Sequence, residues 1–385
     1  MRRDPGALAS ARQWHWATPE AQAVLATRNL GTILRFYRRT NRLSQTELGA
    51  VLGYDKTYIS LLEGQKRTLN DVGSLEQVSR LLGLPPHVLG ITTAADSDHQ
   101  LVLQLGQSTV RLAEIARQSG RAADAVAELW PLVARLEARV ADGHAERESL
   151  RLLAQARVGL GVALGHVLPE ERLATAAHWT GKALEIAAFF GDAGFTSHVL
   201  RMHGNELRKA GLRGAAVNRL GRAAALAPDL ETRAAVLPLL ARAAGTLGNA
   251  ELFDRAMREA ETTLDQVEHT SLVNSSSLHE VRLRGLLATG RTHAAIHLAD
   301  QGAPADPAMA PQWRVIEKIT IARVHIAAGS PRTAVEVLTD AIREATRQRL
   351  PHQLQRVVRV ADVHLPEVTE SATHALAGLR EEMAA

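Results

Sequence analysis

Few side chains in this sequence are spaced for catalysis. His293 and His297 stand one helical turn apart in His-Ala-Ala-Ile-His and can in principle share a metal ion. No glutamate lies between them, however, and no third ligand is obvious. Gly159, Gly161 and Gly165 miss the dinucleotide-binding G-x-G-x-x-G spacing by one residue and follow no strand pattern. A phosphate-binding G-x-x-x-x-G-K-[ST] run does not occur. The absence of cysteine removes disulfides, thiolate metal sites and cysteine nucleophiles together. The chain therefore reads as a non-enzyme without cofactor or metal, and its charged residues offer binding instead. Residues 1–92 hold 12 Lys/Arg against 7 Asp/Glu, and the remainder 33 against 34. The basic excess thus sits in the first quarter, where a domain that binds a polyanion needs it. A merely soluble basic surface has the same charge signature.

The elements that must position these charges are helical. Apolar residues make up 46% of the chain and aromatics 3%, and the apolar positions recur at helical rather than alternating spacing. An all-α architecture is expected. No apolar run approaches transmembrane length, and the basic start Met1-Arg2-Arg3-Asp4-Pro5 leads into no signal-like segment. A cytoplasmic protein with no membrane partner is the expectation. Four zones follow. Residues 1–28 form an N-terminal arm and a helix start, with Thr18-Pro19-Glu20 as cap and first turn of a helix expected to run on towards Arg39. Residues 29–91 are a compact set of short helices, and 92–99 (TTAADSDH) suit a linker. Residues 100–385 read as continuous helical hairpins.

The strongest local pattern is Leu43 to Gly64, LSQTELGAVLGYDKTYISLLEG. Ser44 and Glu47 form a capping box, so a helix starts at Gln45 and carries Leu48 and Leu52 inward. Gly53 supplies a tight turn. A second helix follows from about Asp55, with Ile59 and Leu62 on one face and Gly64 as a left-handed stop. Leu30, Ile33, Leu34 and Tyr37 before the motif, and Leu75, Val78, Leu81 and Leu82 after it, can cover its apolar side, giving a five-helix domain.

On Ser44-Gln45, Leu48, Gly53, Ile59-Ser60, Leu62-Glu63 and Leu81-Leu82-Gly83, residues 30–90 resemble the Xre family, the helix-turn-helix fold of the phage lambda repressor and Cro DNA-binding domains. The resemblance places Gln45 at the start of the scaffold helix, able to touch a phosphate or a base edge. It puts Lys56, Thr57 and Leu61 on the face of the second helix that enters the major groove in this family. Lys56 then meets guanine, Thr57 a base or a phosphate, and Leu61, where the family usually has a polar residue, a thymine methyl or nothing. Tyr58, Lys66 and Arg67 fall at phosphate-contact positions, although Tyr58 can equally be packed. An Arg38–Glu63 pair is expected beneath the recognition helix.

Leu200, Gly204, Leu207, Ala216, Leu220, Ala223 and Pro228 give a degenerate match to the tetratricopeptide pattern. Glycines 120, 165, 211, 248, 290 and 329 phase about six hairpins, with small residues at Ala125, Ala216, Ala223, Ala260, Ala295, Ala334 and Ala341 where paired helices approach. Such hairpins stack into a solenoid with a concave groove. In peptide-binding domains of this kind the inner helices offer Arg, Lys and Asn to a carboxylate or a peptide backbone. The same phase puts Arg201, Asn205, Arg208, Arg242, Arg284 and Arg323 on that inner face, where guanidinium groups can grip an anion or be solvated and paired within the solenoid.

An Xre-type domain joined to such repeats resembles the peptide-pheromone regulators of Gram-positive bacteria and related actinobacterial regulators. That resemblance implies a homodimer on double-stranded DNA bearing an inverted repeat, with DNA affinity set by a short peptide or other small anionic ligand in the groove. The alternative is an interaction scaffold or antitoxin-like protein whose repeats recruit a protein partner.

Overall fold

The computed structural model describes residues 14–91, 94–141, 145–270, 273–302, 304, 311–362 and 364–384. Every regular element among them is a helix, as the composition predicts. Contacts divide the chain into two units. One takes the described residues of Met1–Val110, Trp130–Ala156 and Glu185–Asp192; the other takes those of Arg111–Leu129, Arg157–Leu184 and Ala193–Ala385.

In the first unit, α1 (Pro19–Ala26) begins as expected, with the Thr18 hydroxyl accepting from the Ala21 N–H at 3.1 Å. It does not run on to Arg39. Arg28 takes a left-handed φ of 49°, and Asn29 starts α2 (Leu30–Thr40) by accepting from the Thr32 N–H at 2.9 Å. An asparagine that can cap is worth more as a start than as a helix interior, so the chain breaks there. Next come α3 (Gln45–Leu52) and α4 (Lys56–Glu63). The Ser44–Glu47 capping box is present, with bonds of 3.2 and 2.7 Å. Gly53 makes the turn at φ 76°, and Asp55 caps α4 through the Tyr58 N–H at 2.7 Å. The left-handed stop lies one residue later than expected. Gly64 has φ −81° and still donates to the Ser60 carbonyl, whereas Gln65 takes φ 57° and the Lys66 N–H closes onto the Leu61 carbonyl at 2.9 Å. After α5 (Val72–Leu82) a 3-10 turn spans Pro86–Leu89. Leu81 is 43% exposed and does not cover the motif as expected; Val78 and Leu82 do.

Residues 16–28 pack into this core through Trp16, Ala21 and Leu25 rather than form a separate arm. Trp16 is fully buried among Ile33, Leu34, Leu48 and Ile59, and its indole N–H donates to the Leu82 carbonyl at 2.9 Å. A buried Trp needs that acceptor, because its N–H would otherwise lose water for nothing. Of the expected arm, residues 1–13 lie outside the described residues. Residues 94–99, expected as a linker, are the start of the helix α6 (Ala94–Gln118); Thr92 and Thr93 lie outside the described residues. Then come α7 (Ala122–Ala141) and α8 (Arg147–Val167). Within the first unit Arg147 donates to the Ala17 carbonyl at 2.5 Å and to the Phe190 carbonyl at 2.7 Å, which ties α8 to the helix-turn-helix core.

The second unit is built from helix hairpins. After α9 (Leu173–Ala187) come the pairs α10/α11 (Ala193–Lys209, Arg213–Leu226), α12/α13 (Leu230–Leu247, Ala250–Leu264), α14/α15 (Ser275–Ala288, Thr292–Asp300), α16/α17 (Pro311–Ala327, Pro331–Arg347) and α18/α19 (Pro351–Ala361, Pro366–Ala384). Each first helix packs on its own partner and on the first helix of the next pair, so α10, α12, α14, α16 and α18 form a row. The predicted phase is largely recovered: Gly120, Gly211, Gly248, Gly290 and Gly329 all take left-handed turns. Gly165 does not. It lies inside α8, and the turn after that helix is made by Pro169 and a 3-10 segment, Glu170–Arg172. What Gly165 provides is room, since a Cβ there would come within 1.9 Å of the Glu206 carboxylate. All seven small residues expected at helix contacts are buried. At Gly204 a Cβ would sit 2.7 Å from Leu220 Cγ, which explains the glycine in the tetratricopeptide-like repeat.

Candidate nucleic-acid interface and ligand cleft

The helix-turn-helix holds α4 from below and leaves its outer face open. Ile59 and Leu62 are buried, and Glu63 is only 3% exposed. Glu63 accepts from Arg38 Nε at 2.7 Å, Arg38 Nη2 at 3.0 Å and Gln45 Nε2 at 3.1 Å, while Arg35 donates to its backbone carbonyl. Burial alone would raise the Glu63 carboxyl, but the bonds from Arg38 and Gln45 and the nearby guanidinium charges hold it below the ordinary carboxylate value. The Arg38–Glu63 pair is therefore present beneath the helix where it was expected. The tight turn that follows α3 needs Gly49, where a Cβ would stand 2.4 Å from the Tyr54 carbonyl.

Lys56 and Thr57 are exposed at the start of α4, and Lys66 and Arg67 are exposed after its end. Ser60, one turn beyond Lys56, is exposed on the same face and is a polar group the motif reading passed over. Leu61 is half-buried. Two expected contacts are partly engaged in the fold. The Gln45 amide N–H binds Glu63, leaving its carbonyl to act outward. Tyr58 is half-buried, stacked on Tyr54 at 4.8 Å and covered by the Arg67 guanidinium at 4.8 Å. That stack preorganises Arg67 beside α4.

In the second unit the row of first helices lines a cleft of about 460 Å³. It brings together Asn205 and Arg208 on α10, Arg242 on α12, Arg284 on α14 and Arg323 on α16. Arg201 does not reach it. It lies one turn before Asn205, with Nη2 3.1 Å from His198 Nδ1, and burial pushes it down to about 10. The pattern reading missed Arg356 on α18, because no glycine phases that hairpin, together with Glu280, four residues before Arg284 on α14. Glu280 is 1% exposed. It accepts from Arg284 Nη2 at 2.5 Å and from the Thr320 hydroxyl at 2.9 Å, and Arg356 donates to that hydroxyl at 3.0 Å. Burial would raise Glu280, yet the charges of Arg284, Arg242 and Arg356 hold it below its ordinary value.

The surplus of positive charge is large. Nine Lys and Arg side chains line the cleft, and four have carboxylate partners: Arg117 with Glu114, Lys209 with Glu206, Arg284 with Glu280 and Arg359 with Glu170. Among the described residues Arg208, Arg213, Arg242, Arg323 and Arg356 have none. Arg242 is 7% exposed, stacks on Trp313 at 4.7 Å and has an unpartnered Nε. Burial, then the neighbouring guanidinium charges, lower its proton affinity well below normal; the same causes bring Arg208 to about 10. Like charges gathered in this way repel one another, and after burial that repulsion is what lowers Arg208, Arg242 and Arg356. His352 adds no charge, since burial pushes it to about 3. One side is clasped by Glu170, whose backbone N–H donates to Gln355 at 2.6 Å and whose carboxylate accepts from Arg359.

Elsewhere, among the described residues, no three His, Asp or Glu side chains are grouped to hold a metal, and no helix is long and apolar enough to cross a membrane. No protein-family model matches the chain, and no curated protein matches it. Among solved structures it is similar to Bacillus thuringiensis PlcR in complex with the peptide PapR7 and DNA, at 14% identity and TM-score 0.39 over 71% of this chain and 94% of that one. It is also similar to BtubC from P. vanneervenii, at 16% identity and TM-score 0.35 over 60% and 91%. A circular tandem repeat protein is similar at 16% identity and TM-score 0.19, over 98% of this chain and 89% of that one.

Proposed function

We propose that this chain is a sequence-specific transcriptional regulator, a cytoplasmic homodimer that binds an inverted repeat in DNA and changes its affinity when an anionic ligand occupies the arginine cleft. The observation that carries the DNA-binding part is α4. Its inner face is locked by Ile59, Leu62 and the Glu63–Arg38 pair, while Lys56, Thr57 and Ser60 face outward beside Lys66 and Arg67. A rigid short helix with a basic and hydroxyl face suits the major groove. One such domain reads only a few base pairs, which favours two heads related by symmetry. The ligand part is supported by the five guanidinium groups without a carboxylate partner. For that ligand to act, it must bind the two DNA-affinity states unequally.

The test is binding of the full chain to DNA from its own promoter across a salt series. Affinity should fall steeply with salt as phosphate contacts release counterions. Lys66→Ala should weaken specific and non-specific DNA alike. Lys56→Ala should also relax preference at one base position, at a cost of about 1–3 kcal/mol. Unchanged sequence preference in Lys56→Ala would sink the assignment of α4 as the reading helix.

A further inference from the structure

The cleft is more than a row of basic side chains. Each first helix contributes at least one guanidinium: Arg208, Arg242, Arg284, Arg323 and Arg356 come from α10, α12, α14, α16 and α18, and α18 adds Arg359. Arg284, Arg242, Arg356 and Arg208 act on the buried carboxylate of Glu280, which already accepts from Arg284 and Thr320. Nine basic side chains line the cleft against four paired carboxylates and the half-buried Glu317 near Glu280, so four positive charges are in excess. Arg242 is more than nine-tenths buried with an unpartnered Nε, and Arg284 Nε is likewise without an acceptor. Gln312 and Gln353, also more than nine-tenths buried, line the same space with an unpartnered Oε1 each. Buried polar atoms and charges of this kind are costly until something pairs with them.

A single carboxylate, such as the C-terminus of a peptide, supplies one charge where four are in excess. Guanidinium forks approaching from different helices match a group with several oxygens, or several anionic groups set close together. We infer that the ligand of this cleft is a multiply charged oxyanion, bearing at least two phosphate or carboxylate groups that engage different helices, together with an N–H or O–H donor for the buried amides. The inference rests on the reading of the cleft as the ligand site.

The test uses the full chain, followed by calorimetry and thermal unfolding. The probes are inorganic pyrophosphate, citrate, an acidic hexapeptide, and a hexapeptide whose one net negative charge is its C-terminal carboxylate. The expected result is saturable stabilisation by at least one multiply charged probe, bound about tenfold or more tightly than the singly charged peptide. Pyrophosphate against citrate and the acidic peptide then tells phosphate from carboxylate. Arg242→Gln and Arg356→Gln should each lose that response, and their unliganded forms should melt no lower than the parent, because like-charge repulsion is relieved. Arg332→Gln, an exposed charge on α17, should respond as the parent does. Equal binding of the singly charged peptide, no binding of any probe, or a response that survives both arginine substitutions would each overturn the inference. Promoter binding measured on the same samples separates the two ideas. Loss of DNA recognition with an intact, arginine-dependent anion response refutes the regulator and leaves the ligand class standing.

Discussion

Replacing Glu63 probes the joint on which the proposed DNA-reading helix rests. Glu63→Ala removes the acceptor of three side-chain hydrogen bonds, two from Arg38 and one from Gln45. Stranding one member of a buried ion pair costs about 3–5 kcal/mol. Here Arg38 is 21% exposed and keeps a 3.3 Å bond to the Leu43 carbonyl, so part of its charge is still satisfied. A loss of about 2–3 kcal/mol is therefore expected for Glu63→Ala, and about 1–2 for Glu63→Gln, which retains one oxygen acceptor. The readout is native-state amide exchange at residues 59–63 in the full chain, because local opening is measured there without assuming that both units unfold together. Arg38→Ala combined with Glu63→Ala should be less harmful than the sum of the two, with a coupling of about 1–3 kcal/mol. The pH dependence has a definite sign. The folded carboxyl lies below its ordinary value of 4.5, so its contribution is present above that pH and is lost as pH falls through the lower folded value. Protection of α4 should weaken on acidification in the parent and not in Glu63→Ala. Additive single effects, or a Glu63→Ala loss below about 0.5 kcal/mol, would refute the picture of α4 held by this pair.

Two further substitutions test the same domain. Gly49→Ala forces a Cβ to within 2.4 Å of the Tyr54 carbonyl. The overpacking cost of about 1–3 kcal/mol should exceed the roughly 1 kcal/mol gained in helix propensity, and DNA affinity should drop with the domain's melting temperature. A more stable Gly49→Ala protein would contradict the close approach of the Tyr54 turn to α3. Trp16→Phe keeps an aromatic ring but leaves the Leu82 carbonyl without its indole donor, for a loss of about 1–3 kcal/mol; no change would mean that Trp16 is not part of the core.

Local features were legible in the sequence because they are decided within one or two helical turns. The Ser44–Glu47 box, the Gly53 turn, the Asp55 start and the inward Ile59 and Leu62 all follow from side-chain chemistry and 3.6-residue spacing. Five of the six phasing glycines could be found for the same reason, since a hairpin turn needs a left-handed residue near its middle. Where local signals compete, the reading failed. Thr18-Pro19 starts a helix, but nothing in the apolar spacing shows that Asn29 caps a second one eleven residues on, and polar residues 94–99 look like a linker although they extend α6.

The cleft marks the boundary between the two kinds of knowledge. Arginines at a repeated helical phase were visible one by one, and Asn205, Arg208, Arg242, Arg284 and Arg323 do meet, while Arg201, one turn away on the same helix, does not. Their meeting beside the buried Glu280, the addition of Arg356 from the last hairpin, and the clasp of Glu170 against Gln355 depend on contacts 36 to 185 residues apart in the chain. Such contacts are set by how much each hairpin rotates on the one before it. That rotation comes from the summed shapes of many small packed side chains, among them Ala216, Gly204 and Leu220, and no short stretch of sequence encodes it. The residues determined that a basic head and helical repeats would form; only their packing decided that guanidinium groups from five helices would line one cleft beside a buried acid.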